Sequence, residues 1–156
     1  MANHGKELER ARTVQAAMLP PAPVVPGLEI STSYRACEHV GGDFYDFVTV
    51  DPWRLGFVMA DVSGHGTAAA LVMAAAKKTL QMCGRGCLSP REALLAANES
   101  LSREIPRGMF VSVFYGVLDI RDNAFTFARA GHNPLLVLRG GAGAPSSTRR
   151  PERCWA

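Results

Sequence analysis

The chain has 156 residues, 47% of them hydrophobic and 20% charged, with a formal net charge of +3. That is about one domain, with enough apolar residues to bury a real core. Residues 1–138 carry thirteen bases and thirteen acids, so the excess charge lies in a tail where Arg139, Arg149, Arg150 and Arg153 face Glu152 alone; a neutral body of this kind lacks the concentrated basic face that a nucleic-acid partner requires.

No apolar stretch is long enough to span a bilayer, and the polar start of the chain has no signal-peptide core. The expectation is a cytoplasmic protein that engages neither nucleic acid nor membrane. Cys37, Cys83, Cys87 and Cys154 are scattered and lack the further ligands at suitable spacing that a zinc site needs. Reduced, structural thiols follow for that compartment.

Residues Lys6 to Met18 place Leu8, Ala11, Val14 and Met18 at helical spacing, close to a coiled-coil seam. Two readings stand: a helix on this domain's own core, or one that pairs with a second copy or continues from an upstream sensor domain. Pro20, Pro21 and Pro23 end it. Leu28, Ile30 and Tyr34 then predict a first strand, Phe44 to Val50 a second and Trp53 to Val62 a third, with short turns that favour antiparallel pairing.

Gly66 to Met82 is alanine-rich and predicts a helix able to pack closely on a sheet. Ser89-Pro90-Arg91-Glu92 starts another, with a capping serine, proline at the first helical position and a glutamate three residues after the serine. Leu94, Leu101 and Ile105 mark its buried side. Met109 to Ile120 is too β-branched and aromatic for a helix. Arg121-Asp122-Asn123 turns the chain into a strand through Phe125 and Phe127 to Ala130, and Leu135 to Leu138 form a last strand. The Gly-, Ala-, Ser-, Pro- and Arg-rich remainder predicts a flexible tail. Six or so mostly antiparallel strands, with two helices between the third and fourth, make an α+β layer arrangement.

Chemistry concentrates at Met59-Ala60-Asp61-Val62-Ser63-Gly64-His65-Gly66, where an apolar strand ends in a carboxylate and two glycines bracket a histidine before a helix. Such a turn can bring main-chain groups up to an ion or a phosphate. Gly41-Gly42-Asp43-Phe44-Tyr45-Asp46 repeats the arrangement at the edge of another strand. Asp61 alone reads equally as a helix cap. A serine-hydrolase elbow is excluded, because the positions two residues either side of Ser63 are Asp61 and His65 rather than glycines.

GGDFYD (Gly41 to Asp46), ADVSGHG running into AAALVMA (Ala60 to Ala74), MFVSVFYGVLD (Met109 to Asp119) and ARAGHNP (Ala128 to Pro134) come in the order and at the spacing of the bacterial SpoIIE/RsbU-type phosphatases. Those enzymes belong to the metal-dependent protein phosphatase superfamily, type 2C-like. VQAAMLP (Val14 to Pro20) is similar to the segment leading into that domain. The resemblance implies a partial α/β/β/α phosphatase sandwich of mainly antiparallel strands with two central helices, divided as residues 1–27 (helix and Pro-rich linker), 28–138 (N-terminal portion of the phosphatase domain) and 139–156 (flexible basic tail).

It further implies two divalent cations, manganese or magnesium, with Asp43 binding one, Asp61 bridging both and the Val62 carbonyl completing part of the shell. A metal-activated water replaces any side-chain nucleophile. Asp46, Gly64, His65, His132 and Asn133 are candidates for a supporting shell; for Asp46 a turn-closing role stands beside it, and for His65, His132 and Asn133 a bracing role. The implied substrate is phosphoserine or phosphothreonine on a regulatory protein, an anti-sigma factor antagonist in partner switching. The family's C-terminal Asp-Gly motif and final Asp have no counterpart after Leu138. The second metal site is therefore expected to be incomplete, and the rival reading is a catalytically inactive docking module.

Overall fold

Alternating side chains build the centre of the molecule, as a pleated strand requires. The structure, a computed structural model, describes residues 2–36, 38–138 and 146–147. In β1 (Phe44–Asp51) the side chains of Phe44, Asp46, Val48 and Val50 are buried, and between them Tyr45, Phe47 and Thr49 are more open. The next strand, β2 (Arg54–Val62), buries Val58, Ala60 and Val62 in the same phase. β3 (Val111–Asp119) adds Val113, Tyr115 and Val117, and β4 (Ala124–Ala130) closes an antiparallel sheet of order β1-β2-β3-β4.

Two helices between β2 and β3 cover one face of this sheet. α2 (Gly66–Gly84) packs with Ala69, Met73, Ala76 and Leu80. α3 (Pro90–Glu104) packs with Ala93, Leu94, Ala97 and Leu101. The small residues of α2 permit close approach to the strands, and α3 starts as its sequence dictates: Ser89 caps it, its hydroxyl accepting from Glu92 N at 3.3 Å, with Pro90 in the first turn. Asn123 turns the β3–β4 hairpin with a φ of 57°, a left-handed conformation that asparagine tolerates.

The other face of the sheet is aromatic. Tyr45, Phe47, Phe57, Phe114, Phe125 and Phe127 form a continuous chain of ring contacts, with centroids 5.6 to 6.3 Å apart. The chain is thus of the α+β class, and its described residues supply one helical layer and one four-stranded sheet of the expected sandwich. No helix among the described residues is long and apolar enough to cross a membrane.

Two expectations are corrected. Leu28, Ile30 and Tyr34 do not form a strand: the segment makes only an isolated bridge between Val25 and Leu28. Alternation there reports an extended conformation, whereas a strand also needs a ladder partner. The last strand shortens to β5 (Leu136–Val137), which pairs with β6 (Ser146–Ser147) inside the segment expected to be a flexible tail. The rest of that tail, with Cys154, and also Cys37 lie outside the described residues; Cys83 and Cys87 are free thiols.

α1 (Ala2–Met18) forms, but its expected apolar seam is not what it buries. Leu8, Ala11 and Met18 are half-buried and Val14 is exposed, while Gln15 is buried.

Tyr115 tests the packing. It is 1% exposed, its hydroxyl has no hydrogen-bond partner among the described residues, and burial pushes its pKa up to about 12. Its ring end fills a slot at Gly84, where an added Cβ would stand 2.6 Å from the hydroxyl oxygen and 3.1 Å from Val48. An unpaired buried hydroxyl costs stability, whereas the ring contributes it. Tyr115→Phe is therefore expected to unfold in urea at the same or a higher midpoint, and Gly84→Ala to lose ~1–3 kcal/mol through overpacking.

Candidate metal centre

The register of the β1–β2 hairpin creates the site. Phe44 pairs with Ala60, so one step outward brings Asp43 opposite Asp61, and across the next ladder Asp61 pairs with Ser112. Asp43, Asp61 and Ser112 thus line up across one end of the sheet. Asp61 shares the phase of Met59, away from the helix-covered core, and both carboxylates are open to solvent.

A backbone approach completes the corner. Val62 is fully buried, and its carbonyl oxygen lies against Gly42, where an added Cβ would be 2.6 Å away. No real Cβ tolerates that distance. Glycine at 42 is therefore what lets the loop before β1 close on the end of β2 and carry Asp43 to Asp61.

The electrostatics follow from that closeness. The Asp43 carboxyl is pushed above its ordinary range, first by partial burial and then by the like charge of Asp61. His132 sits at the same corner: its Nδ1 is 2.9 Å from Ser112 Oγ, and Arg129 Nη1 donates to its carbonyl oxygen at 3.1 Å. Burial pulls the His132 pKa down, and the Asp61 and Asp43 carboxylates oppose that pull. A parallel bridge between Val113 and Gly131 brings this loop to β3.

The Ser63-Gly64-His65-Gly66 turn is stapled to the start of β3. Ser63 N donates to Phe110 O, and Phe110 N donates to Ser63 Oγ, each at 2.9 Å. Gly64 and Gly66 adopt φ of 95° and 70°, the left-handed region that suits glycine. His65, not Asp61, occupies the N-cap of α2, with extended backbone and no side-chain capping bond. Asp61 is therefore not spent on a helix start. The His65 ring is exposed, with Nδ1 3.5 Å from Glu38 Oε1. Asn133 is exposed beside His132.

Asp46 stands elsewhere, which revises both of its expected roles. It lies on the helix-covered face, 2% exposed, with Oδ2 at 2.5 Å from Lys77 Nζ of α2 and Oδ1 accepting from Phe47 N at 2.9 Å. Neither a shell around Asp43 nor a turn is involved: it forms half of a buried ion pair that ties β1 to α2. Removing one partner of such a pair leaves a buried charge uncompensated.

The two carboxylates are hard oxygen donors, and two like charges held side by side ask for a cation between them; the Val62 carbonyl is buried against Gly42 beside them. The corner therefore fits manganese or magnesium. Among the described residues no three His, Cys, Asp or Glu side chains cluster as a metal-holding group, so Asp43 and Asp61 are the acids the corner offers. Sequence reasoning places Gly42 in a junction of glycines with a carboxylate and singles out none of Ser112, Glu38 and Gln15. Gly42 was signalled by the double glycine, and Ser112 by its place in the apolar run once the register is known.

Comparison with known proteins gives a consistent picture. The stage II sporulation protein E (SpoIIE) family matches residues 51–152. Phosphoserine phosphatase RsbU of Bacillus subtilis strain 168 is 30% identical over 129 residues, covering 82% of this chain and 38% of that protein. Phosphoserine phosphatase RsbP of the same organism is 28% identical over 138 residues, 86% of this chain and 34% of that protein. The chain thus spans little more than a third of the length of these relatives.

Among solved structures, the RsbU and RsbW domains of Rv1364c from Mycobacterium tuberculosis align with a TM-score of 0.57 at 32% identity, over 64% of this chain and 28% of that one. The PP2C phosphatase domain of Bacillus subtilis SpoIIE, with a fragment of its regulatory domain, aligns with a TM-score of 0.59 at 19% identity, over 70% of this chain and 33% of that one, a likeness of fold.

The coupling of the carboxylates is directly measurable. Asp61→Asn removes the like charge that raises Asp43 and the carboxylate that raises His132. Both groups are expected to titrate lower in Asp61→Asn than in the wild type, followed by carboxyl and imidazole NMR shifts against pH without metal. Unchanged titrations would mean that the three groups do not share one corner.

Proposed function

The chain belongs to the stage II sporulation protein E (SpoIIE) family, and from that premise we propose that it dephosphorylates phosphoserine or phosphothreonine on a regulatory protein, using divalent cations held at Asp43 and Asp61. The observation that carries this reading is the antiparallel register setting Asp43 opposite Asp61, with the Val62 carbonyl turned onto Gly42 beside them.

Manganese or magnesium bound there would supply Lewis acidity to a water and to the phosphoryl oxygens, so no side-chain nucleophile is required. The chain's own residues hold the arrangement. Asp43 and Asp61 provide negative charge at one place; the Ser63–Phe110 staple fixes the turn that follows Asp61; the Ser112 contact at Nδ1 fixes the His132 ring beside both carboxylates. Burial favours neutral His132, which keeps that ring from adding a competing cation to the corner.

The relatives RsbU and RsbP are phosphoserine phosphatases, which supports phosphoserine as the target. A solved relative carries RsbU and RsbW domains, and that likeness supports the substrate class that the family resemblance implies, an anti-sigma factor antagonist in cytoplasmic partner switching. A second reading has its own observation: the described residues gather two acids rather than a larger cluster, which suits a docking module that binds the same phosphoprotein without turning it over.

Chelation separates the two. Hydrolysis of a small phosphomonoester by the chain is expected to need manganese and to fall to background in EDTA and in Asp61→Asn. No turnover in any condition, together with binding of the phosphoprotein that EDTA leaves unchanged, is the result expected of the docking module.

A further inference from the structure

The loop that carries Asp43 has no sheet to hold it. β1 begins at Phe44, so the peptide groups of Gly41 and Gly42 precede the ladder. A side chain from another element takes the ladder's place. Gln15, near the end of α1, donates from Nε2 to Gly41 O at 2.7 Å and accepts from Gly41 N at Oε1 at 3.0 Å. A carboxamide offers a donor and an acceptor side by side without depending on a proton, as a neighbouring strand would.

The bond pair is built into the fold rather than laid on the surface. Gln15 is 6% exposed, whereas the α1 residues around it, Val14 and Ala16 included, are open to solvent. The same end of the helix is fixed twice more: Leu19 packs against the core, and Tyr45 OH donates to Pro20 O at 3.0 Å. Farther up, Glu9 stands 3.8 Å from His39 of the same loop. Val40, next to Gly41, is buried. The helix therefore grips residues 39–41 on one side while Gly42 abuts the Val62 carbonyl on the other.

We propose that Gln15 is a positioning residue for Asp43: its buried carboxamide fixes the Gly41-Gly42 loop against the end of β2 and so holds the Asp43 carboxylate opposite Asp61. The proposal rests on the metal-centre reading for its consequence, that cation affinity depends on a residue of α1 that touches no cation. Gln15 has no hydrogen bond to Asp43 or Asp61 and acts only through the Gly41 backbone. Its replacement by leucine keeps much of the volume and removes both bonds. Replacement by glutamate, measured at a pH where the carboxylate is ionised, keeps an acceptor for Gly41 N and sets a second oxygen against Gly41 O. Replacement of exposed Val14 by alanine serves as the control on the helix itself.

Two readouts on the folded chain test this. The first needs no metal: amide hydrogen exchange of Gly41, Gly42 and Asp43, with Val58 and Ala60 of β2 as internal references. In Gln15→Leu and Gln15→Glu the three loop amides are expected to exchange at least tenfold faster while the β2 amides stay within twofold, and Val14→Ala changes neither. The second is manganese affinity by titration of the free ion, expected to weaken at least tenfold in both Gln15 variants and to be lost in Asp43→Asn.

The proposal is overturned if Asp43 exchange stays at the wild-type rate in both variants, or if manganese affinity holds within twofold while Asp43→Asn abolishes it. Should Asp43→Asn bind manganese as the wild type does, the metal-centre reading has failed on its own, and the exchange at Asp43 still decides whether Gln15 positions it. Faster exchange at the β2 references in Gln15→Glu as well as Gln15→Leu would show general unfolding and count against a local role.

Discussion

Two negative charges held face to face are the constraint on which the rest of this molecule turns. The pairing of Phe44 with Ala60 carries Asp43 to Asp61, and the like charge of Asp61 raises the cost of ionising Asp43 unless a cation or solvent compensates. The fold absorbs that cost with ordinary means. A core of Val, Ala, Leu and Met between one sheet face and two helices fixes the strands, and a fixed hairpin leaves the end residues no freedom to move apart. A one-residue slip would turn Asp61 into the core and Val62 out of it, so burial of Val58, Ala60 and Val62 enforces the charge pair.

The corner is closed by main chain as much as by side chains. Gly42 admits the Val62 carbonyl, the Ser63–Phe110 bonds hold the turn after Asp61, and Gln15 supplies Gly41 with the partners a strand would have given it. On the other face of the sheet, Asp46 and Lys77 spend their charges on each other. The pair links β1, which starts one residue after Asp43, to the helix that starts five residues after Asp61, and so ties the two halves of the corner from beneath.

Much of this was legible in the residues. The capped start of α3, the alanine-rich α2, the hairpins and the two junctions of a carboxylate with nearby glycines follow from local chemistry, and local chemistry is what a sequence displays. Pairing is different. Leu28, Ile30 and Tyr34 alternate as a strand does, yet alternation says nothing about whether a partner ladder is present. Asp46 could have been placed, since it sits in phase with Phe44 and Val48, and Lys77 lies on the stripe of Met73, Ala76 and Leu80. Gln15 could not: the apolar spacing of α1 pointed to Leu8, Ala11, Val14 and Met18, and a buried carboxamide leaves no mark on a hydrophobic pattern.

The proposed function stands on a divalent cation binding at the end of this sheet, at Asp43 and Asp61. Anomalous diffraction from crystals of the chain grown with manganese tests it most directly. The account predicts an anomalous peak within ligand distance, ~2.0–2.2 Å for a small hard cation, of carboxylate oxygens from both Asp43 and Asp61. A peak at another place, such as between Glu38 and His65, with none at the two aspartates, would contradict it.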